Sequence, residues 1–231
     1  MLRLETLRIE MTGFTLSADL TVPEGARVAV IGPSGAGKST LLAAIAGFQP
    51  VAAGRVLWKG GDLGPLAPGK RPLSILFQDN NLFPHLTAAE NVGLALRPGL
   101  RLGEQERARV AGALARVGLK GLGDRRPAAL SGGQQSRVAL ARALLRARPI
   151  LLLDEPFAAL GPALRAEMLD LVAEITAETG STLLIVTHDP RDAERIADLT
   201  ILVAEGRAEA PVPTAALFAD PPKALAEYLG A

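Results

Sequence analysis

Leu16, Ala18, Leu20 and Val22 alternate with polar neighbours, and the first eleven residues, MLRLETLRIEM, alternate as well. That is the period of half-buried strands. Apolar runs bounded by glycine or proline follow at 27–32 (RVAVIG), 54–60 (GRVLWKG) and 73–77 (LSILF). Between the first two, TLLAAIAGF (40–48) carries good helix formers directly after a glycine-rich turn. The middle of the chain changes period. Residues 87–96, 103–118 and 131–147 place apolar side chains at helical spacing, with Thr87 and Ser131 positioned as N-caps. Strand-like runs resume at 150–154 (ILLLD), 182–188 (TLLIVTH) and 199–206 (LTILVAEG). A helix is predicted between the first two, over 162–178, with Gly161 as N-cap and Pro162 at its first position.

Strand–helix–strand alternation implies an α/β fold with a mainly parallel sheet covered on both faces. The pattern predicts a single domain over 1–231. Its core falls at about 1–85 and 150–231, interrupted by a helical insertion at about 86–149.

Composition narrows the function classes. There are 25 basic and 24 acidic residues, a formal charge of +1, so no nucleic-acid footprint is expected. Cysteine is absent, which removes disulfides and thiolate metal sites. The charged, alternating N-terminus does not read as a signal peptide. No apolar run reaches the length of a membrane span, so any work at a membrane would be that of a peripheral subunit.

The chemistry begins at GPSGAGKST, which fits G-x-x-x-x-G-K-[ST] through Gly32, Gly37, Lys38 and Ser39. It follows a predicted strand and opens a predicted helix, the context a phosphate loop requires. Glycines let successive backbone N–H groups curl around phosphate oxygens, and the helix N-terminus adds its partial positive charge. Lys38 can reach the β- and γ-phosphates, and the Ser39 hydroxyl can ligate Mg²⁺. ILLLDE then brings Asp154 and Glu155 to the end of a buried strand, where ligands of parallel sheets bind. Asp154 there lies near the metal, and Glu155 can polarise an attacking water.

LSGGQQSR (130–137) starts the third helix of the insertion, its serine and paired glycines again suiting an anion. Placed between the phosphate loop and LLLDEP, it resembles the signature of the ATP-binding-cassette (ABC) ATPases. Gln78 stands where that family has its Q-loop, and His188 in VTHD where it has its switch histidine. The resemblance covers nearly the whole chain.

The resemblance implies a RecA-like core with N-terminal antiparallel strands and a helical subdomain. It also implies a homodimer sandwiching two ATP molecules head to tail. Gly32, Pro33, Ser34, Gly35, Ala36, Gly37, Lys38, Ser39 and Thr40 would hold the phosphates. Ser39 and Gln78 would hold Mg²⁺, with Asp154 acting through water. Glu155 would be the catalytic base and His188 the γ-phosphate sensor. Ser131, Gly132, Gly133 and Gln134 would close over the partner subunit's nucleotide. Phe14, the only aromatic before the phosphate loop, would either stack on adenine or sit in the core of the first hairpin. His85 is expected on a surface loop.

IAGF, LFQDNNLFPHLT and GLALRPGLRL look most like the ATPase subunits of bacterial thiamine importers, and the chain stops soon after its last predicted strand. Such a subunit would sit at the cytoplasmic face of the inner membrane. It would bind transmembrane permease subunits and serve a periplasmic solute-binding protein indirectly. Leu82 and Phe83 would be an exposed apolar pair in the docking groove. Import of another solute (an inorganic anion, a metal or a polyamine) and a soluble, non-transport ABC ATPase stay open as alternatives. One departure stands out: AALGP places Gly161 where importer ATPases carry the aspartate of the D-loop.

Overall fold

The computed structural model describes residues 1–229. In chain order the strands and helices are β1 (Leu2–Met11), β2 (Phe14–Val22), β3 (Arg27–Ile31), α1 (Lys38–Ala46), β4 (Ala53–Trp58), β5 (Gly61–Asp62) and β6 (Leu73–Leu76). Three helices follow, α2 (Ala88–Gly93), α3 (Glu104–Arg116) and α4 (Gly132–Leu145). The chain then runs through β7 (Ile150–Asp154), α5 (Pro162–Thr179), β8 (Thr182–Val186), α6 (Pro190–Ile196) and β9 (Leu199–Ala204). It closes with β10 (Arg207–Ala208), β11 (Val212–Pro213), α7 (Thr214–Ala219) and α8 (Lys223–Leu229).

The strands form one sheet in the order β5-β4-β1-β2-β10-β9-β3-β8-β7-β6, with β11 paired to β9. β9, β3, β8, β7 and β6 are mutually parallel, whereas β2, β1, β4 and β5 are antiparallel neighbours. Every residue of β7 and β8 is buried. Side chains of these strands alternate between two cores. Ala29, Ile31, Leu151, Leu153, Leu183 and Ile185 face one, continuous with α2–α5. Val28, Val30, Ile150, Leu152, Leu184 and Val186 face the other, packed on α1 and the antiparallel strands. This two-sided burial explains why β7 and β8 read as unbroken apolar runs while β2 alternates.

β1 departs from strict alternation. Leu2 and Leu4 are buried, then Leu7 and Ile9, because a register shift between Leu4 and Leu7 changes the phase. Thr6 carries the extra residue at φ 44°. The bulge keeps all four large side chains inward. It also brings the Thr6 carbonyl so close to β4 that a Cβ at Gly54 would lie 2.3 Å from it. α2 is shorter than its pattern, because the chain beyond Gly93 tightens into turns such as Leu96 N–H to Gly93 O, 3.0 Å. Residues 207–229 form two short strands and two helices for which the pattern gave no expectation.

Candidate active site

β3, an interior strand between β9 and β8, ends at Ile31, and the next residues turn at its C-terminal end. Gly32 sits at φ 146°, so close to β9 that an added Cβ would lie 1.9 Å from the Val203 carbonyl oxygen. No other residue fits there. Gly37 at φ 102° is the N-cap of α1. Lys38, the first residue of α1, is buried and turns its ammonium back over the loop, donating to the carbonyls of Gly32 and Pro33, both at 2.8 Å. One of its three hydrogens remains for a phosphate oxygen. Burial pulls the Lys38 pKa down, opposed by the nearby carboxylates of Glu155 and Asp154.

The Ser39 hydroxyl donates to Asp154 Oδ1 at 3.0 Å, so two hard oxygen groups of the kind Mg²⁺ takes are adjacent. Asp154 is 7% exposed at the end of β7. Burial pushes its pKa up; the Ser39 hydrogen bond and the Lys38 charge act the other way. Glu155 follows in the left-handed region, at φ 47°, an uncommon place for a non-glycine residue. Its backbone N–H donates to Val186 O at 3.2 Å, and its carboxylate pairs with His188 Nε2. Strain and pairing together fix the carboxylate at the mouth of the loop.

A cleft of about 360 Å³ is lined by Ser34, Gly35, Gly37, Lys38, Ser39, Thr40, Glu155 and His188, with Met11, Thr12 and Phe14 at one end. The structure thus brings together the phosphate loop, the acidic pair and the histidine from three neighbouring parallel strands. Phe14 is half-buried, and its ring edge is pressed on Gly37, where an added Cβ would meet it at 2.7 Å. Its ring therefore braces the phosphate loop as well as lining the cleft. Met11, 48% exposed at the same end, went unnoticed in the sequence because a lone methionine at a strand end carries no pattern.

Gln78 is exposed just beyond β6 and lies outside the residues lining the cleft. Its loop is held in place from below. Arg142 of α4 donates to the carbonyls of Asn80 and Asn81, each at 2.9 Å, and Asn80 Nδ2 donates to Ser136 Oγ at 3.2 Å. Further on, the fully buried Asn91 accepts from Phe83 N–H and donates to the carbonyls of Phe83, Leu86 and Thr87. Phe83 and His85 are exposed and meet edge-on. Leu82 does not form the expected exposed pair with Phe83. It is half-buried against the core that includes α2–α4, since the held loop turns it inward.

The signature residues stand apart from this chain's cleft. Ser131 caps α4, accepting from Gln134 N–H, while the Gln134 side chain accepts from Ser131 N–H. Gly133 packs closely on the loop after Glu155, where a Cβ would lie 3.1 Å from Leu160 and 3.2 Å from Leu164. Gly161 is the N-cap of α5 as expected, at φ −63° and ψ 156°, with no side-chain cap and open space around it.

Another residue outside the sequence motifs holds the far end of α1. Arg71, 5% exposed, donates to the carbonyls of Ala44 and Ile45 at 2.9 and 2.7 Å, satisfying the last turn of α1. It also bonds Leu66 O at 3.2 Å.

Comparison with known proteins agrees with this geometry. The ABC transporter family matches residues 16–158. The chain is 70% identical over 230 residues to the thiamine import ATP-binding protein ThiQ of Cereibacter sphaeroides, covering 100% of both chains. It is 63% identical, again over the full length of both, to the protein of the same name from a Ruegeria species. Among solved structures, it is similar to an ATP-binding cassette in a dimeric post-hydrolysis state bound to ADP and Pi. That match has TM-score 0.82 and 33% identity, covering 93% of this chain and 99% of the other.

Proposed function

The chain belongs to the ABC transporter family, as an ATPase coupled to transport, and we propose that it powers the uptake of thiamine or its phosphates through a partner permease. The observation that carries the chemistry is the single cleft joining Lys38 and Ser39 of the phosphate loop to Glu155 and His188. The thiamine reading draws its support from full-length identity to thiamine import ATP-binding proteins. No helix among the described residues is long and apolar enough to cross a membrane, which fits a subunit held at the cytoplasmic face by its permease. The exposed Phe83, on a loop pinned by Asn91 and Arg142, suits the permease contact. Residues 86–149 would act as the helical subdomain, whose Asn91 and Arg142 hold the loop that carries this contact.

The Ser39 hydroxyl fits Mg²⁺, with Asp154 beside it to act through water, and Gln78, in the loop after β6, would be the further protein ligand. The metal would neutralise phosphate charge. In hydrolysis, Lys38 and the backbone N–H groups of 32–40 hold the β- and γ-phosphates. Glu155 accepts the proton of the water that attacks the γ-phosphorus, and the bond to the ADP oxygen breaks, giving ADP and phosphate. His188, paired with Glu155, orients that carboxylate and contacts the γ-phosphate. Ser131, Gly132, Gly133 and Gln134 lie away from this cleft, as required if they cover the nucleotide of a second copy. The dimeric cassettes among the solved relatives support that arrangement. Base contact falls to Phe14 and Met11.

The test is vesicle uptake. The chain and its permease are reconstituted with a solute-binding protein, and labelled thiamine entry is measured with internal ATP. ATP-dependent uptake of thiamine is expected. Uptake of a different solute with none of thiamine would overturn the assignment.

A further inference from the structure

The last helix reaches the catalytic histidine. Tyr228, the only tyrosine of the chain, lies on α8 and donates its hydroxyl hydrogen to the backbone carbonyl of His188 at 2.8 Å. Among the described residues it is the one donor to that carbonyl. Leu225, one helical turn earlier, is fully buried in the core that also receives Ile185, Ala193 and Ile196, and the Tyr228 ring packs against the same core. The i, i+3 spacing therefore sets an apolar anchor beside a polar tip.

The segment that Tyr228 grips is short, and its other holds come from β3, α5 and α6. Thr187 N–H donates to Val30 O at 3.4 Å, and Asp189 N–H donates to Thr187 Oγ1 at 3.2 Å. The Thr187 hydroxyl donates in turn to Asp192 of α6 at 2.9 Å. Arg165 of α5 pairs with Asp189 at 3.6 Å and Asp192 at 3.7 Å, and none of these contacts reaches the His188 carbonyl. His188 itself, 43% exposed at its side chain, is placed between them with its ring on Glu155. The peptide linking His188 to Asp189 is thus held at its N–H by Thr187 and at its carbonyl by Tyr228, and loss of the second bond leaves its tilt, and with it the ring, fixed at one end only.

We propose that Tyr228 is a positioning residue for hydrolysis: α8 acts as a strap whose hydroxyl fixes the His188 peptide and so directs the imidazole at Glu155. The proposal rests on the reading of His188 as the γ-phosphate contact. A tyrosine hydroxyl is protonated across the physiological range, and burial, then the charges of Glu155 and Asp189, push the Tyr228 pKa further up. Tyr228 is not among the residues that line the phosphate cleft. Its loss should therefore act on turnover and not on nucleotide affinity.

The experiment is Tyr228→Phe in the full chain, assayed for ATP hydrolysis and for the ring protons of its two histidines by NMR. The variant keeps the ring that packs on the core and removes only the hydroxyl, and a thermal melt reports its folding. The expected result is a kcat lower by about fivefold, the factor for one lost hydrogen bond, with KM for ATP unchanged. The His188 ring signals should move while those of His85 stay. A kcat at the wild-type value, or His188 signals that do not move, overturns the proposal. The companion variant His188→Ala separates the two readings. A wild-type rate there removes the role of His188 and this proposal with it. Loss of activity in His188→Ala beside an unaltered Tyr228→Phe removes the strap alone.

Discussion

Ser39 donates its hydroxyl to Asp154 across 3.0 Å, tying the first turn of α1 to the end of β7 before any nucleotide arrives. The bond holds two oxygen donors in one place, where Mg²⁺ would meet the Ser39 oxygen directly and Asp154 through water. Asp154→Asn keeps the acceptor oxygen and removes the charge. ATP hydrolysis should fall by about 100-fold or more. Nucleotide binding in EDTA should match wild type. Hydrolysis measured across a Mg²⁺ titration checks both, and a variant that hydrolyses normally at saturating Mg²⁺ excludes the assignment.

Glu155→Gln should leave ATP binding intact, because the phosphate loop is untouched. Hydrolysis should drop by about 10²–10⁴, the usual scale for a lost general base. With ATP and Mg²⁺ the variant should accumulate as a dimer in light scattering. A monomer under those conditions would count against the shared nucleotide sandwich.

Gly161 stands at φ −63° and ψ 156°, ordinary backbone for an N-cap, with nothing within 4 Å of an added Cβ. Gly161→Asp should therefore be accepted without strain and raise stability by about a few tenths of a kcal/mol. Its carboxylate would project from the loop proposed to meet the second copy. The expected functional effect is a higher Hill coefficient for ATP with little change in maximal rate. Unchanged cooperativity would show that the missing aspartate has no such role in this chain.

The parallel part of the fold was legible because two-sided burial writes itself as apolar runs, and the motifs between strands are spaced by backbone demands. Gly32 is an example: its contact with Val203 excludes every other residue. Thr87 and Ser131 were legible as caps because a cap needs only its own neighbours. Leu82, Met11, Arg71 and Tyr228 were not. Each takes its position from a partner far away in sequence, such as the α1 carbonyls for Arg71 and the His188 carbonyl for Tyr228. The bulge at Thr6 was hidden for the same reason, since its phase change is set by pairing with β2 and β4.

Met11→Tyr should lower KM for ATP several-fold with kcat unchanged. An aromatic ring at the base end of the cleft adds about 0.5–1.5 kcal/mol of stacking. Competition between ATP and GTP in the same assay reports whether base discrimination rises with it. Equal KM values in wild type and variant would place the base elsewhere.

Thr87 and Glu90 cap α2 reciprocally, Thr87 N–H donating to Glu90 at 2.7 Å and Glu90 N–H to the Thr87 hydroxyl at 3.1 Å. These bonds, the backbone one first, hold the Glu90 carboxyl below its ordinary pKa. A depressed carboxylate stabilises the fold above the ordinary value and loses that effect as pH falls through the folded value. Glu90→Gln should thus melt below wild type at neutral pH, with the gap closing on acidification. Thr87→Ala should cost about 1 kcal/mol. Melting curves followed by circular dichroism across pH measure both.

α1 is nine residues long, with the phosphate loop at one end and the Arg71 guanidinium against the carbonyls at the other. A helix of that length is a short electric dipole, positive toward the loop and negative toward Arg71. The arginine is a permanent counter-charge on one pole, while the other pole stays open until an anion fills it. Nucleotide arrival therefore completes a line of alternating charge running through the helix axis. The segment leading into β6, and so to Gln78, is anchored on that same axis, which makes the opposite end of α1 part of what an incoming phosphate feels.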